Sequence, residues 1–138
     1  MKKLVGLGIV AILALSVIVS SCGKYEEGSN FTFLTAKARI VNTWTLSSYS
    51  INDVTQTLGS SLTYKFEKNG KATVTLTIGG FPLSDIGTWE LSVDKTELIL
   101  KDSAGTVSTY EIVQLKNKDL KVRKTAPNYT EVWILTGL

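Results

Sequence analysis

The chain of 138 residues contains no histidine and a single cysteine, Cys22. Without histidine there is no Ser-His-Asp or Cys-His nucleophile arrangement, no imidazole base and no His-ligated metal. One cysteine makes no intramolecular disulfide, no CxxC redox pair and no thiolate zinc site. Gly79-Gly80 is followed by neither Lys-Ser nor Lys-Thr and opens no helix, which excludes a phosphate-binding loop. Asp102-Ser103-Ala104-Gly105 lacks the spaced acids of a calcium loop and reads as a hairpin turn. Long 3.6-residue periodicity is also missing after Cys22, and the stretch 31–39 is the one candidate helix, about two turns long. A chain of this length holds one domain, not two with separate cores. These absences point to a small, non-enzymatic domain with no cofactor and no metal.

What is present begins at the N-terminus. Lys2 and Lys3 precede an apolar run of 16 residues from Leu4 to Val19, short of the roughly 20 that span a bilayer core. Small residues follow, ending in Cys22. This order of charged, apolar and small segments describes a secretory signal peptide over residues 1–21. Val19-Ser20-Ser21-Cys22 resembles the bacterial lipobox, whose cysteine is lipid-modified and becomes the first residue of the mature chain. The resemblance implies that Cys22 is a lipid attachment point and that the membrane is a partner through the N-terminal lipid. Several acyl chains on one residue attach stably where a single chain is marginal, at roughly 0.8 kcal/mol per buried methylene. Residues 22–37 then form a tether that includes the candidate helix. Its Glu26-Glu27 resembles the signal that sends Bacteroidota lipoproteins to the outside of the outer membrane. The expected address is the bacterial cell envelope, as an outer-membrane lipoprotein on either the periplasmic or the outer face.

Cleavage changes the charge that matters. Of 15 Lys and Arg, loss of Lys2 and Lys3 leaves 13 against 12 acidic residues. Lys116, Lys118, Lys121, Arg123 and Lys124 form the one basic cluster, interleaved with Leu120 and Val122 and not with aromatic residues. That pattern fits the wet face of a strand and gives no nucleic-acid partner.

From Ile40 onward apolar and polar residues alternate with period two, and turn residues recur about every ten positions, the all-β pattern. Leu62, Tyr64 and Phe66 alternate with polar residues up to Lys68-Asn69-Gly70, and Ala72, Val74, Leu76 and Ile78 alternate after it. An Asn-Gly between two such runs is a strong hairpin signal. Eight strands follow at about 40–50, 62–67, 71–78, 86–93, 97–102, 106–114, 119–124 and 129–136. Within a domain of residues 38–138 they suggest an eight-stranded antiparallel up-and-down barrel, since closure removes exposed edges. A two-sheet sandwich is the alternative. The long links 51–61 and 79–85 fall on one rim and the tight ones on the other, so one rim reads as a mouth.

Asn42-Thr43-Trp44-Thr45-Leu46 is similar to the opening Gly-x-Trp of lipocalins. Tyr64-Lys65-Phe66 with Asn69-Gly70, Gly87-Thr88-Trp89-Glu90-Leu91 and Tyr110-Glu111-Ile112-Val113 resemble the lipocalin-like domains of Bacteroidota lipoproteins. The likeness covers about residues 38–137. Asn42 stands in place of the usual glycine. The last strand lacks the Arg or Lys that packs on the first-strand Trp in lipocalins, which leaves the bottom plug open.

The resemblance implies a small apolar or amphipathic ligand inside the barrel, and eight strands enclose either a packed core or room for one such molecule. By alternation the inward residues near the open rim are Tyr64, Ile78, Trp89, Leu100, Tyr110 and Val122. Lys124 shares their face at the mouth, where its ammonium can meet a carboxylate or phosphate. Core filling is the plainer reading of the aromatic residues, and a solvated strand end that of Lys124. Among acids suited to glycosidase chemistry, Glu90 and Glu111 alternate away from apolar neighbours toward water, and Glu131 is the third. The competing function is a solid barrel acting as an interaction module for a protein partner through Ile99, Val113 and Trp133 on the outer face. A cavity of roughly 300 Å³ lined by Tyr64, Trp89 and Tyr110 separates the two readings.

Overall fold

The computed structural model describes residues 34–138; the expected signal peptide, Cys22 and most of the tether lie outside the described residues. The chain enters through α1, Ala36–Ile40, whose N-cap Thr35 accepts a hydrogen bond from the Ala38 N–H. The helix ends one residue beyond the expected stretch, and its last residue, Ile40, is fully buried.

Nine strands follow: β1 Thr43–Ile51, β2 Val54–Thr55, β3 Ser61–Phe66, β4 Lys71–Ile78, β5 Phe81–Leu91, β6 Glu97–Lys101, β7 Val107–Leu115, β8 Asp119–Ala126 and β9 Tyr129–Gly137. All pairings are antiparallel; β1 pairs with β3, each strand from β3 to β8 pairs with the next, and β9 returns to β1, which closes eight strands into a barrel. β2 is a two-residue strand on the upper end of β1, within the expected link 51–61. Residues that alternate inward meet across every ladder, as in Tyr64 opposite Val74, Trp89 opposite Leu100 and Val122 opposite Trp133. The wet faces carry Thr63, Thr73, Thr75 and Thr77 on β3 and β4, and a two-bonded Arg123–Glu111 pair on β8 and β7.

Turn chemistry sets the hairpins. Gly70 has φ +89° in the Asn69-Gly70 turn, where the Asn69 side-chain Oδ1 accepts the Lys71 N–H. Gly79 and Gly80 have φ +56° and +86°, the paired left-handed turn that matches strand twist and that glycine adopts without a Cβ penalty. The turn is therefore two residues long, and the expected loop 79–85 is instead the first half of the 11-residue strand β5. Pro82 is tolerated there because its missing N–H lies on the side away from β4, where no strand pairs.

At the rim where β1 begins, the barrel is sealed. Trp44 has no exposed surface and its indole N–H donates to the Ile40 carbonyl at 2.9 Å. Arg39 of α1 donates to the Leu115 carbonyl at 2.6 Å. A Cβ on Gly137 would stand 3.1 Å from the Trp44 ring, so the last strand closes on the tryptophan with bare backbone instead of a basic side chain. The bottom plug exists, built by α1 and Gly137.

Candidate ligand-binding site

Two residue sets share the barrel interior. Trp44, Phe66, Trp89, Leu115 and Leu120 fill the closed half. Trp89 belongs there because β5 starts at Phe81 and carries it far from the mouth; its indole N–H donates to the Glu67 carbonyl of the closed-rim turn at 2.9 Å. Placement of Trp89 near the open rim is thus corrected. Ile78 is inward by alternation but stands at the β4–β5 tip and is 51% exposed, beyond the barrel wall.

The remaining expected residues come together. Tyr64, Leu100, Tyr110 and Val122 surround one point of the core, with Phe66, Leu98, Leu120 and Leu135 below them. The side chain that fills the space between them is Trp133, its ring centroid 5.1 Å from Tyr110, 5.6 Å from Tyr64 and 5.9 Å from Tyr49. Trp133 was expected on the outer face. β9 is apolar on both faces, so alternation leaves its parity open; pairing with Val122 on β8 and Tyr49 on β1 decides it. The expected outer patch therefore does not form. Val113 is buried at a bulge in β7, and Ile99 is half-buried.

Packing around Trp133 leaves an internal void of only about 10 Å³, about one water probe and far below the roughly 300 Å³ of a ligand cavity. The space between Tyr64 and Tyr110 does not reach Trp89. Larger space lies beside the core. A cleft of about 140 Å³ opens between β5 and the β6–β7 hairpin, with Ala72, Val74, Leu100 and Tyr110 behind and Asp85 and Lys101 at its edge. Two wider hollows, about 390 Å³ against α1 and about 470 Å³ across β5 and β6, are lined mainly by polar and turn residues.

Polar groups concentrate at the mouth. The Lys124 ammonium lies 5.7 Å from the Tyr110 ring centroid, a cation held over an aromatic face. Glu131, opposite Lys124 across β8 and β9, accepts the Trp133 indole N–H at 3.0 Å. It is a mouth residue that alternation missed because its strand gives no parity signal. Burial raises Tyr64 well above the ordinary tyrosine range, with Tyr110 and Glu131 adding to it, and pushes Tyr110 up to about 12, with Glu131 contributing. Glu111 lies on the outer wall, bonded to Arg123, and Glu90 is exposed.

Above this floor the β4–β5 hairpin overshoots the rim. Its inward face carries Leu76, Ile78, Phe81 and Leu83, the last two 78% and 63% exposed. By strand order β4 stands across the barrel from β8, so this apolar face looks toward the Lys124 wall.

A closed eight-strand meander with one plugged end defines the class of small up-and-down β-barrel domains. The chain belongs to the lipocalin-like domain family, whose sequence profile matches residues 40–122. Among solved structures, the NMR structure of a protein from Bacteroides uniformis ATCC 8492 has the same fold, with a TM-score of 0.55 and 19% identity over 73% of this chain and 90% of that one. No curated protein matches.

Proposed function

We propose that this protein is a non-enzymatic binder that takes a small apolar or amphipathic molecule in the upper half of its barrel, above the aromatic floor and not beneath it. The observation that carries the reading is the inward face of the overshooting hairpin, where Ile78, Phe81 and Leu83 stay in water. Uncovered apolar area forgoes about 25 cal/mol per Å², and a contiguous exposed apolar patch marks a binding surface. Lys124 across the mouth supplies the cation for a carboxylate or phosphate head, and Glu131 orients Trp133.

Anchoring through Cys22 in the outer membrane of a bacterial envelope belongs to the same proposal, supported by Lys2-Lys3, the apolar run and Val19-Ser20-Ser21-Cys22. Because β1 starts at the closed rim, a tether before α1 leaves from that side and the mouth points away from the membrane. Replacing Cys22→Ser is expected to move the protein from the membrane to the soluble fraction.

The test of binding is a titration of residues 23–138 with dodecanoate, followed by tryptophan fluorescence with Trp133→Phe as the blank. A saturable change, lost in the blank and weakened about tenfold by Lys124→Ala, supports the reading; no saturable change overturns it. A second reading is favoured by Pro82 and Ile86, exposed on the other face of the same hairpin: a solid barrel that docks a protein through this tip. Full ligand binding by the combined Phe81→Asp and Leu83→Asp variant would move the hairpin to that role.

A further inference from the structure

Two ladders of the barrel wall are short, β1–β3 with three paired positions and β5–β6 with four. β3–β4 and β4–β5 pair over their whole lengths, and where β1 and β3 separate, β2 and its flanking loop pair with β1 instead. β5 and β6 pair only from Thr88 to Leu91 with Leu98 to Lys101. Above Thr88, residues 81–87 of β5 have no partner strand on that side among the described residues, because β6 ends at Lys101 and turns away. The turn begins tight against β5: a Cβ on Gly87 would stand 1.9 Å from the Lys101 carbonyl oxygen.

Across the unpaired stretch one contact is made. The Asp85 carboxylate accepts the Ser103 N–H at 3.3 Å, and its acidity is increased chiefly by hydrogen bonds from the Ser103 side chain and main chain. Asp85 lies on the inward face of β5, opposite Val74, so the contact reaches from the inside of one strand to the tip of the neighbouring hairpin. Behind it is the 140 Å³ cleft, whose Leu100 and Tyr110 also wall the central void. Trp133, packed against Tyr49 and Tyr110, lines one side of that void. Apart from the open mouth, the side seam is a second place where solvent approaches inward apolar residues.

We infer that the seam between β5 and the β6–β7 hairpin is a lateral doorway and binding slot for an unbranched alkyl chain, latched by the Asp85–Ser103 contact. The inference rests on the ligand-binding reading above and adds the route and the ligand class. A slot of this volume takes a short run of methylenes and not a fused-ring skeleton. Ala72, Val74 and Leu100 give that chain an apolar wall, and its polar end stays outside beside Lys101, Asp102, Thr106 and Ser108 on the polar side of the cleft.

The barrel closes its own core within residues 34–138, so the soluble chain 23–138, which lacks Cys22, serves for the test. Asp85→Cys with Ser103→Cys places a reducible staple across the seam, and cis-parinaric acid is the fluorescent chain. Uptake blocked in the oxidised pair and restored by dithiothreitol supports the doorway. Equal uptake in both states overturns it and leaves binding at the mouth standing. No uptake by the parent chain overturns the ligand reading and the doorway with it. If the staple does not form, Asp85→Ala alone decides: uptake about tenfold faster supports the latch, and an unchanged rate overturns it. Cholesterol displacing the probe as well as dodecanol does would overturn the assignment of an unbranched chain.

Discussion

The two halves of this barrel use aromatic residues differently. At the closed end, Trp44 and Trp89 are buried and each indole N–H donates to a main-chain carbonyl. At the open end, Tyr49, Tyr64 and Tyr110 surround Trp133, whose indole N–H donates to the side chain of Glu131. Main-chain partners belong to the fold and cannot move without it, whereas a carboxylate at a rim can. The closed half ties its tryptophans to the backbone, and the open half ties Trp133 to a side chain that can turn without unpairing a strand.

The sharpest way to break this comparison is to truncate one tryptophan from each half. Trp44→Ala is expected to cost about 3–5 kcal/mol, the range for emptying a fully buried aromatic site. Trp133→Ala, half-buried at a wall open to solvent, is expected to cost less than half of that while enlarging the central void. Chemical denaturation measures both, and equal losses would mean that the halves are energetically alike. Next in size is Gly87→Ala. Its new methyl meets the Lys101 main chain, which cannot swing aside as a side chain would, so β5 and β6 must part at a cost of about 1–3 kcal/mol. Gly79, with open space at its Cβ position, is the control, where alanine adds only left-handed strain of about 1 kcal/mol.

Alkaline titration separates the halves without mutation, because the described tyrosines of the core all lie in the upper one. An unfolded tyrosine loses its proton near 10, whereas burial holds the Tyr110 proton until about 12 and that of Tyr64 still higher. Between those values the folded state binds more protons than the unfolded one, so stability falls as pH rises above 10. Tyr110→Phe is expected to flatten part of that fall. A slope unchanged by the substitution would show that Tyr110 ionises as freely in the fold as outside it.

Alternation and turn residues make most of the barrel legible between Leu62 and Leu115, where Tyr64 and Phe66, Ala72 and Val74, and Leu98 and Leu100 fall on the inner faces of their strands. The Asn69-Gly70 hairpin falls where its turn chemistry puts it. Two features were not legible. Gly79-Gly80-Phe81-Pro82 contains loop-forming residues, yet two left-handed glycines make the tightest hairpin and leave Phe81 and Pro82 in the strand. The orientation of β9 was lost because Val132, Trp133 and Ile134 are apolar on both sides, and only the ladders to β8 and β1 choose between them. The site suffered most from the second failure. Trp133 and Glu131 change the mouth from a cavity into a filled floor, and neither can be placed without the pairing.

The smallest expected effect compares two exposed aspartates, one at each rim. Asp94 in the closed-rim turn accepts the Ser92 hydroxyl at 2.6 Å and the Thr96 hydroxyl at 2.8 Å, which with the Thr96 N–H lower its pKa to about 2. Asp85 at the open seam is also lowered, chiefly by Ser103. An unfolded aspartate titrates near 3.9, so both contribute stability that is complete above that pH and lost as pH falls toward their folded values. Asp94→Asn is expected to flatten a small part of the acid limb and leave uptake of an alkyl chain unchanged. Asp85→Asn should also flatten it slightly while quickening uptake, because its bond crosses a seam and that of Asp94 closes a turn on itself. Acid denaturation and uptake kinetics on the two variants distinguish a carboxylate that shapes a hairpin from one that holds two walls together.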